Sequence, residues 1–302
     1  MSVELWKERI SKFTFALSKF TFSRLFNLSR AVLLDYIVHV SSNLSQKRLI
    51  EQEEWDYLIV LDGCSYDYFK RLNSIQGKLS CVISPGTGTG MWAMRTWTRP
   101  YDAVYISANP HINSSGYAPV PHAGKIKLFN PSNFREIIDV WDEGWKEGCV
   151  LPETVNSYAI SNLYPHMIIH YLQPHAPFIG DLKLPVAGPE SVRKWLAENN
   201  LGAEYYREAY ISNLERVLRA VKSLLPYLDG KLIITADHGY WDGSNGNFCH
   251  EGYSPYLQKV PWLEVFARAH IESNRRGEKT KHTFTSKEEE KIKRRLRSLG
   301  YL

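Results

Sequence analysis

Four short apolar runs constrain this chain more than any other feature of its sequence. They are Tyr57-Leu-Ile-Val-Leu61, Ala103-Val-Tyr-Ile-Ser107, His166-Met-Ile-Ile-His170 and Lys231-Leu-Ile-Ile-Thr235. None alternates polar with apolar residues as a half-exposed strand would, so each reads as a strand buried on both faces of a parallel sheet. Between the last two, Tyr206, Tyr210, Leu214, Val217, Leu218, Val221 and Leu225 recur at helical spacing. Strands interleaved with helices predict an α/β fold, a mostly parallel central sheet sandwiched by helices, with polar chemistry gathered beyond the carboxyl ends of the strands. Three of the four runs lead into Asp or His: Asp62, His175, and the pair Asp237-His238. The fourth leads into Asn109.

With 302 residues, 44% of them hydrophobic, the chain can bury a full core. A disulfide-stapled miniprotein, a disordered chain and a repeat array are excluded. Net charge is +5, unevenly spread: residues 1–50 carry eight Lys/Arg against three Asp/Glu, and residues 268–302 eleven against five. The middle is therefore acidic, which suits a protein that holds cations at its centre and meets anionic surfaces with its ends. Solvated helix faces explain the basic ends equally well. Residues 1–50 read as a basic amphipathic helical segment, able to lie on an anionic membrane or to pack on the domain, with residues 51–302 forming the α/β domain. Ser286 and Glu289 make a capping box for a basic surface helix over 287–298 that stops at Gly300. Cys64, Cys81, Cys149 and Cys249 lack CxxC spacing, and the longest apolar run, Ala31–Val40, contains Asp35. The expectation is a cytoplasmic protein with free thiols, in peripheral contact with a membrane at most.

The chemistry follows from the strand ends. A buried carboxylate such as Asp62 is costly unless something positive meets it. Asp237 beside His238 is a compact ligand pair of oxygen and nitrogen donors, suited to Zn²⁺ or Mn²⁺. His175, between two prolines, and His250, in a Gly/Asn-rich loop, are further candidates for the same edge. Ser84-Pro-Gly-Thr-Gly-Thr-Gly90 enters a helical stretch, where backbone N–H groups face an anion. A hydroxyl there, held against a metal, can become a nucleophile; Thr89 and, alternatively, Thr87 are the candidates.

Strand-Asp62, the threonine turn, His170-Tyr-Leu-Gln-Pro-His-Ala-Pro-Phe178, Thr235-Ala-Asp-His-Gly239, His250 before Val260-Pro-Trp-Leu263, and the ending Leu296-Arg-Ser-Leu-Gly-Tyr301 together resemble the alkaline phosphatase superfamily, in its sulfatase-like branch. The resemblance spans roughly residues 55–302. It implies an alkaline-phosphatase-like fold and one or two divalent ions, Zn or Mn. Asp62, Thr89, Asp237 and His238 would bind one ion, and His175 and His250 a second ion or the substrate's anionic group. Asn109 and His170 would serve the substrate. The implied activity is hydrolysis of phosphoric mono- or diesters through a phosphothreonine. The alternatives are a phosphotransferase acting on lipid or glycan head groups at a membrane surface, and a non-catalytic binding module of the same fold; nucleic acid is not an expected partner. Three departures stand out. The Cys-x-Pro-x-Arg sequence that yields formylglycine in sulfatases is missing, Ser65 stands where relatives often carry Arg, and Tyr171 stands where dinuclear phosphatases place an aspartate.

Overall fold

The computed structural model describes residues 44–120, 124–146, 148–269 and 286–301. All lie in one unit, Asn43–Leu302. The amphipathic segment expected over residues 1–50 lies outside the described residues except for its last seven.

Each of the four apolar runs is a strand: β1 (Tyr57–Asp62), β3 (Val104–Ser107), β5 (Met167–Pro174) and β6 (Gly230–Ala236). Three further strands, β2 (Lys78–Ile83), β4 (Glu136–Asp139) and β7 (Lys259–Ala267), complete a sheet of order β2-β7-β6-β1-β5-β3-β4. The block β6-β1-β5-β3-β4 is parallel throughout, with Leu58 opposite Ile233 and Ile168. Strand β7 runs antiparallel to both its neighbours, so β2 points the same way as the parallel block.

Helices cover both faces. The helix expected around residues 203–225 is α6 (Ala203–Leu224); it packs on α2 (Tyr66–Leu72) and, with α4 (Pro152–Ser161), against β5. On the other face lie α1 (Gln46–Gln52) and α3 (Thr89–Thr96), joined by a bond from Trp92 Nε1 to Gln46 Oε1 of 2.9 Å. Gln46 in turn donates to Thr235 Oγ1 and the Ala236 carbonyl of β6, at 2.8 and 2.6 Å. Alternation along β5 separates the two faces. The ring of His170 meets Trp92 of α3 edge-on, whereas Tyr171 turns away to Asn156 Oδ1 of α4 at 2.5 Å.

The C-terminal basic helix is α7 (Ser286–Ser298), and Gly300 follows it at φ +78°. Its buried stripe is Ile292 and Leu296, continued by Leu299. Between α4 and α6 in sequence, α5 (Pro189–Glu198) begins at Gly188, a position that α7 uses below. Among the described residues no helix is long and apolar enough to cross a membrane, and all four cysteines are free thiols.

Candidate active site

Asp62 closes β1, the pair Asp237-His238 follows β6, His175 follows β5, and Asn109 lies two residues beyond β3. Because these four strands are adjacent and parallel, their carboxyl ends form one continuous edge. Thr89 reaches the same edge from β2: the glycine turn ends at Gly88, in extended conformation, and Thr89 is the first residue of α3. Asp62, Asp237, His238, Thr89 and Asn109 are all fully buried.

Two turns are locked together beneath the carboxylates. Ser65 Oγ accepts from Tyr240 N–H at 2.8 Å and donates to the Tyr240 carbonyl at 2.9 Å. This joins the turn after β1 to the turn after β6. Gly63 N–H donates to Asp237 Oδ1 at 3.0 Å, which also accepts from His238 N–H at 2.8 Å. Gly63 sits at φ +66° with the Tyr240 ring over its Cα, so glycine is required here. Ser84 of the glycine loop donates to the Asp237 carbonyl.

Asp62, Asp237 and His238 each present a ligand atom within 4.8 Å of the others. His238 Nε2 is 3.3 Å from Asp62 Oδ1 and 3.6 Å from Asp237 Oδ2. Its Nδ1 lies 2.7 Å from the Gly239 carbonyl, an acceptor, so Nδ1 carries the hydrogen and the Nε2 lone pair is directed at the carboxylates. Among the described residues four buried imidazole nitrogens, Nδ1 of His111 and Nε2 of His170, His175 and His238, have no hydrogen-bond partner. An orphaned lone pair between two carboxylates matches the donor set of a divalent cation site.

Electrostatics agree. Burial works against the imidazolium of His238, but Asp237 and Asp62 outweigh it and raise its pKa to about 9. Burial pushes the Asp62 carboxyl up, yet His175 and His238 hold it well below the usual carboxylate range. Asp237 is raised, by burial and by the charge of Asp62 beside it. Two buried carboxylates in contact call for positive charge between them.

Thr89 Oγ1 donates to Asp237 Oδ2 at 2.7 Å and accepts from Asn109 Nδ2 at 3.2 Å. Asn109 also donates to Asp62 Oδ2 at 2.5 Å. Thr87, buried in the same loop, makes no such bond to the carboxylates among the described residues. His170 lies beside Asp237, its Nε2 4.0 Å from Oδ2 and its Nδ1 2.9 Å from the Tyr105 hydroxyl. His175 and His250 stand one ring further out: the His250 ring centre is 4.8 Å from that of His238 and 5.5 Å from that of His175. Neither joins the Asp62–Asp237–His238 ligand group. The two departures at Ser65 and Tyr171 have structural roles, Ser65 tying the turns and Tyr171 facing α4.

Two residues of the site had no individual signal in the sequence. Tyr301 brings its hydroxyl to 3.2 Å from Thr89 Oγ1 and 3.4 Å from Asp62 Oδ2. His111, buried, meets the Tyr301 ring edge-on with centres 4.4 Å apart. The Leu-Gly-Tyr ending was part of the resemblance, but nothing along the chain pointed its last tyrosine at a carboxylate 239 residues away.

A mostly parallel sheet between helices, with its polar edge at the strand ends, is the arrangement the four apolar runs predict. Several solved structures are similar to this chain. The soluble domain of lipooligosaccharide phosphoethanolamine transferase A from Neisseria meningitidis is 13% identical at a TM-score of 0.48, over 70% of this chain and 76% of that one. The phosphonate monoester hydrolase of Silicibacter pomeroyi is 13% identical at 0.43, over 72% and 68%. A protein in the alkaline phosphatase superfamily from Vibrio parahaemolyticus is 12% identical at 0.39, over 74% and 62%. At such identities and TM-scores the likeness assigns neither family nor activity. No family model and no curated protein matches the chain.

Proposed function

We propose that this protein is a metal-dependent hydrolase of phosphoric esters, with Thr89 as nucleophile. The observation that carries the reading is the bonding of Thr89 Oγ1, which gives its one hydrogen to the carboxylate of Asp237 and receives one from Asn109. Asp62, Asp237 and His238 would hold a divalent cation, Zn²⁺ or Mn²⁺. Bound there, the cation supplies Lewis-acid stabilisation of developing negative charge and favours loss of the hydroxyl proton. Asp237, whose Oδ2 already accepts the Thr89 hydrogen, is placed to receive that proton. As the Thr89 O–P bond forms, the ester P–O bond breaks and the alkoxide departs on the side of His175 and His250, taking a proton from water to leave as the alcohol. Asn109 steadies the threonine oxygen and Asp62 together. Water then displaces threonine from the phosphothreonine, releasing phosphate and restoring the hydroxyl.

Thr89→Ala and Asp237→Asn are each expected to lower hydrolysis of an aryl phosphate by about 10³-fold or more, assayed with added Zn²⁺ or Mn²⁺. Elemental analysis separates the two, since Thr89→Ala keeps its metal and Asp237→Asn loses most of it. Full activity in Thr89→Ala sinks the assignment. A second reading replaces water by an acceptor alcohol, such as a lipid or glycan head group; the basic amphipathic sequence of residues 1–50 favours it. The same assay with added alcohol decides, because transfer yields a new ester at the expense of free phosphate.

A further inference from the structure

Tyr301 is built into the site. Leu299 N–H and Gly300 N–H close α7 on the Arg295 and Arg297 carbonyls, and Tyr301 N–H bonds the Leu296 carbonyl at 3.0 Å. Gly300, in the left-handed region, lies flat on Gly188: a Cβ on Gly300 would run into the backbone of Gly188. Helix α7 is clamped by its buried stripe and by Arg295, whose guanidinium lies over the rings of Trp141 and Trp145 at 5.4 and 5.0 Å. These contacts set where the phenol at its end lies.

The ring occupies a box of three imidazoles. It stacks on His175 at 5.2 Å and 17° and on His250 at 5.1 Å and 30°, and it meets His111 edge-on at 87°. Its oxygen rests against Thr89, which is 0% exposed. The other polar partners of the Thr89 hydroxyl, Asp237 and Asn109, are fixed at strand ends. An ester that reaches this oxygen must therefore move the phenol aside. Tyr301 thus holds a hydroxyl-bearing ring against the nucleophile, as the alcohol portion of an aryl ester would be held.

We infer that the box of His111, His175 and His250 is the subsite for the alcohol portion of the ester, that it takes planar aromatic rings, and that Tyr301 fills it as an internal stand-in which substrate displaces. The orientation of the ester rests on the proposed role of Thr89. The box itself does not.

Tyr301→Ala empties the box in the full-length, metal-loaded protein. Phenol, followed by calorimetry, is expected to bind the variant and not the parent, and adding His111→Ala to the variant weakens that binding. The kcat/KM for phenyl phosphate rises about tenfold or more over the parent, while that for 2-aminoethyl phosphate rises much less. Gly300→Ala, which keeps the phenol but cannot seat against Gly188, is expected to raise phenyl phosphate hydrolysis more than that of 2-aminoethyl phosphate, and serves if Tyr301→Ala fails to fold. The inference is overturned if phenol does not bind, if both esters gain equally, or if phenyl phosphate hydrolysis falls while metal content holds. A protein that binds phenol only after Tyr301→Ala, yet hydrolyses neither ester, would keep the aromatic box and refute the hydrolase reading alone.

Discussion

At His238 the Nδ1 hydrogen is committed to a carbonyl, which leaves Nε2 to one occupant at a time, a proton or a cation. In the metal-free protein the raised pKa means that protonation stabilises the fold, fully below the unfolded value of 6.5 and decreasingly as pH rises through about 9. Asp62, depressed in the fold, acts oppositely: its contribution is present above 3.8 and is lost as acid protonates it. Between pH 6.5 and 9, then, the metal-free protein should lose stability, measured as a falling urea midpoint. Over the same interval Mn²⁺ affinity should climb, by up to about tenfold per pH unit, as the ion displaces one proton. Calorimetry in buffers of different protonation enthalpy counts that proton, and His238→Ala removes both trends. Asp62, Asp237 and His238 were legible in the sequence because a polar residue directly after a fully apolar strand has few other places to go. Tyr301 and His111 were not, since each gains its meaning from side chains far away along the chain.

The elements show the same division. The four central strands announce themselves because burial on both faces leaves no room for polar alternation. Strands β2 and β4, half-buried, keep residues such as Lys78 and Glu136, and β7 carries Lys259 and Glu264, so their composition matches that of loops. Besides their strand pairing and the Gly63–Asp237 bond, the ends of β1 and β6 are tied by Ser65, which satisfies both backbone groups of Tyr240. Ser65→Ala would leave a buried N–H and a buried C=O without their partner, at a cost of about 1–3 kcal/mol. A drop of that size in unfolding free energy, read from urea titration, is the expected result. A neutral substitution would mean that the two turns are held elsewhere.

For the molecule as a whole, the acidic middle of the sequence folds so that two of its carboxylates converge without a lysine or arginine of the described residues among their polar contacts. Binding a cation to the native state alone stabilises it by mass action, about 2.7 kcal/mol at a hundredfold excess over Kd. Mn²⁺ or Zn²⁺ should therefore raise the thermal midpoint by roughly 5 °C or more, and a chelator should reverse it. Thr89→Ala keeps most of this shift and Asp62→Asn loses it. A midpoint indifferent to metal would remove the cation from the mechanism.

By itself the amino-acid sequence determined the parallel core, the edge at which its polar residues collect, the glycine turn that leads into a helix, and the basic helix after Ser286. These are written in local periodicity, which depends only on burial and backbone geometry. Which atoms meet was decided by tertiary structure alone: Thr89 on Asp237, Asn109 bridging to Asp62, Tyr171 turned to the far face, and a terminal phenol seated among three imidazoles. Contacts between residues as much as 239 positions apart depend on how strands order themselves in the sheet and where the last helix docks, and no local pattern encodes either.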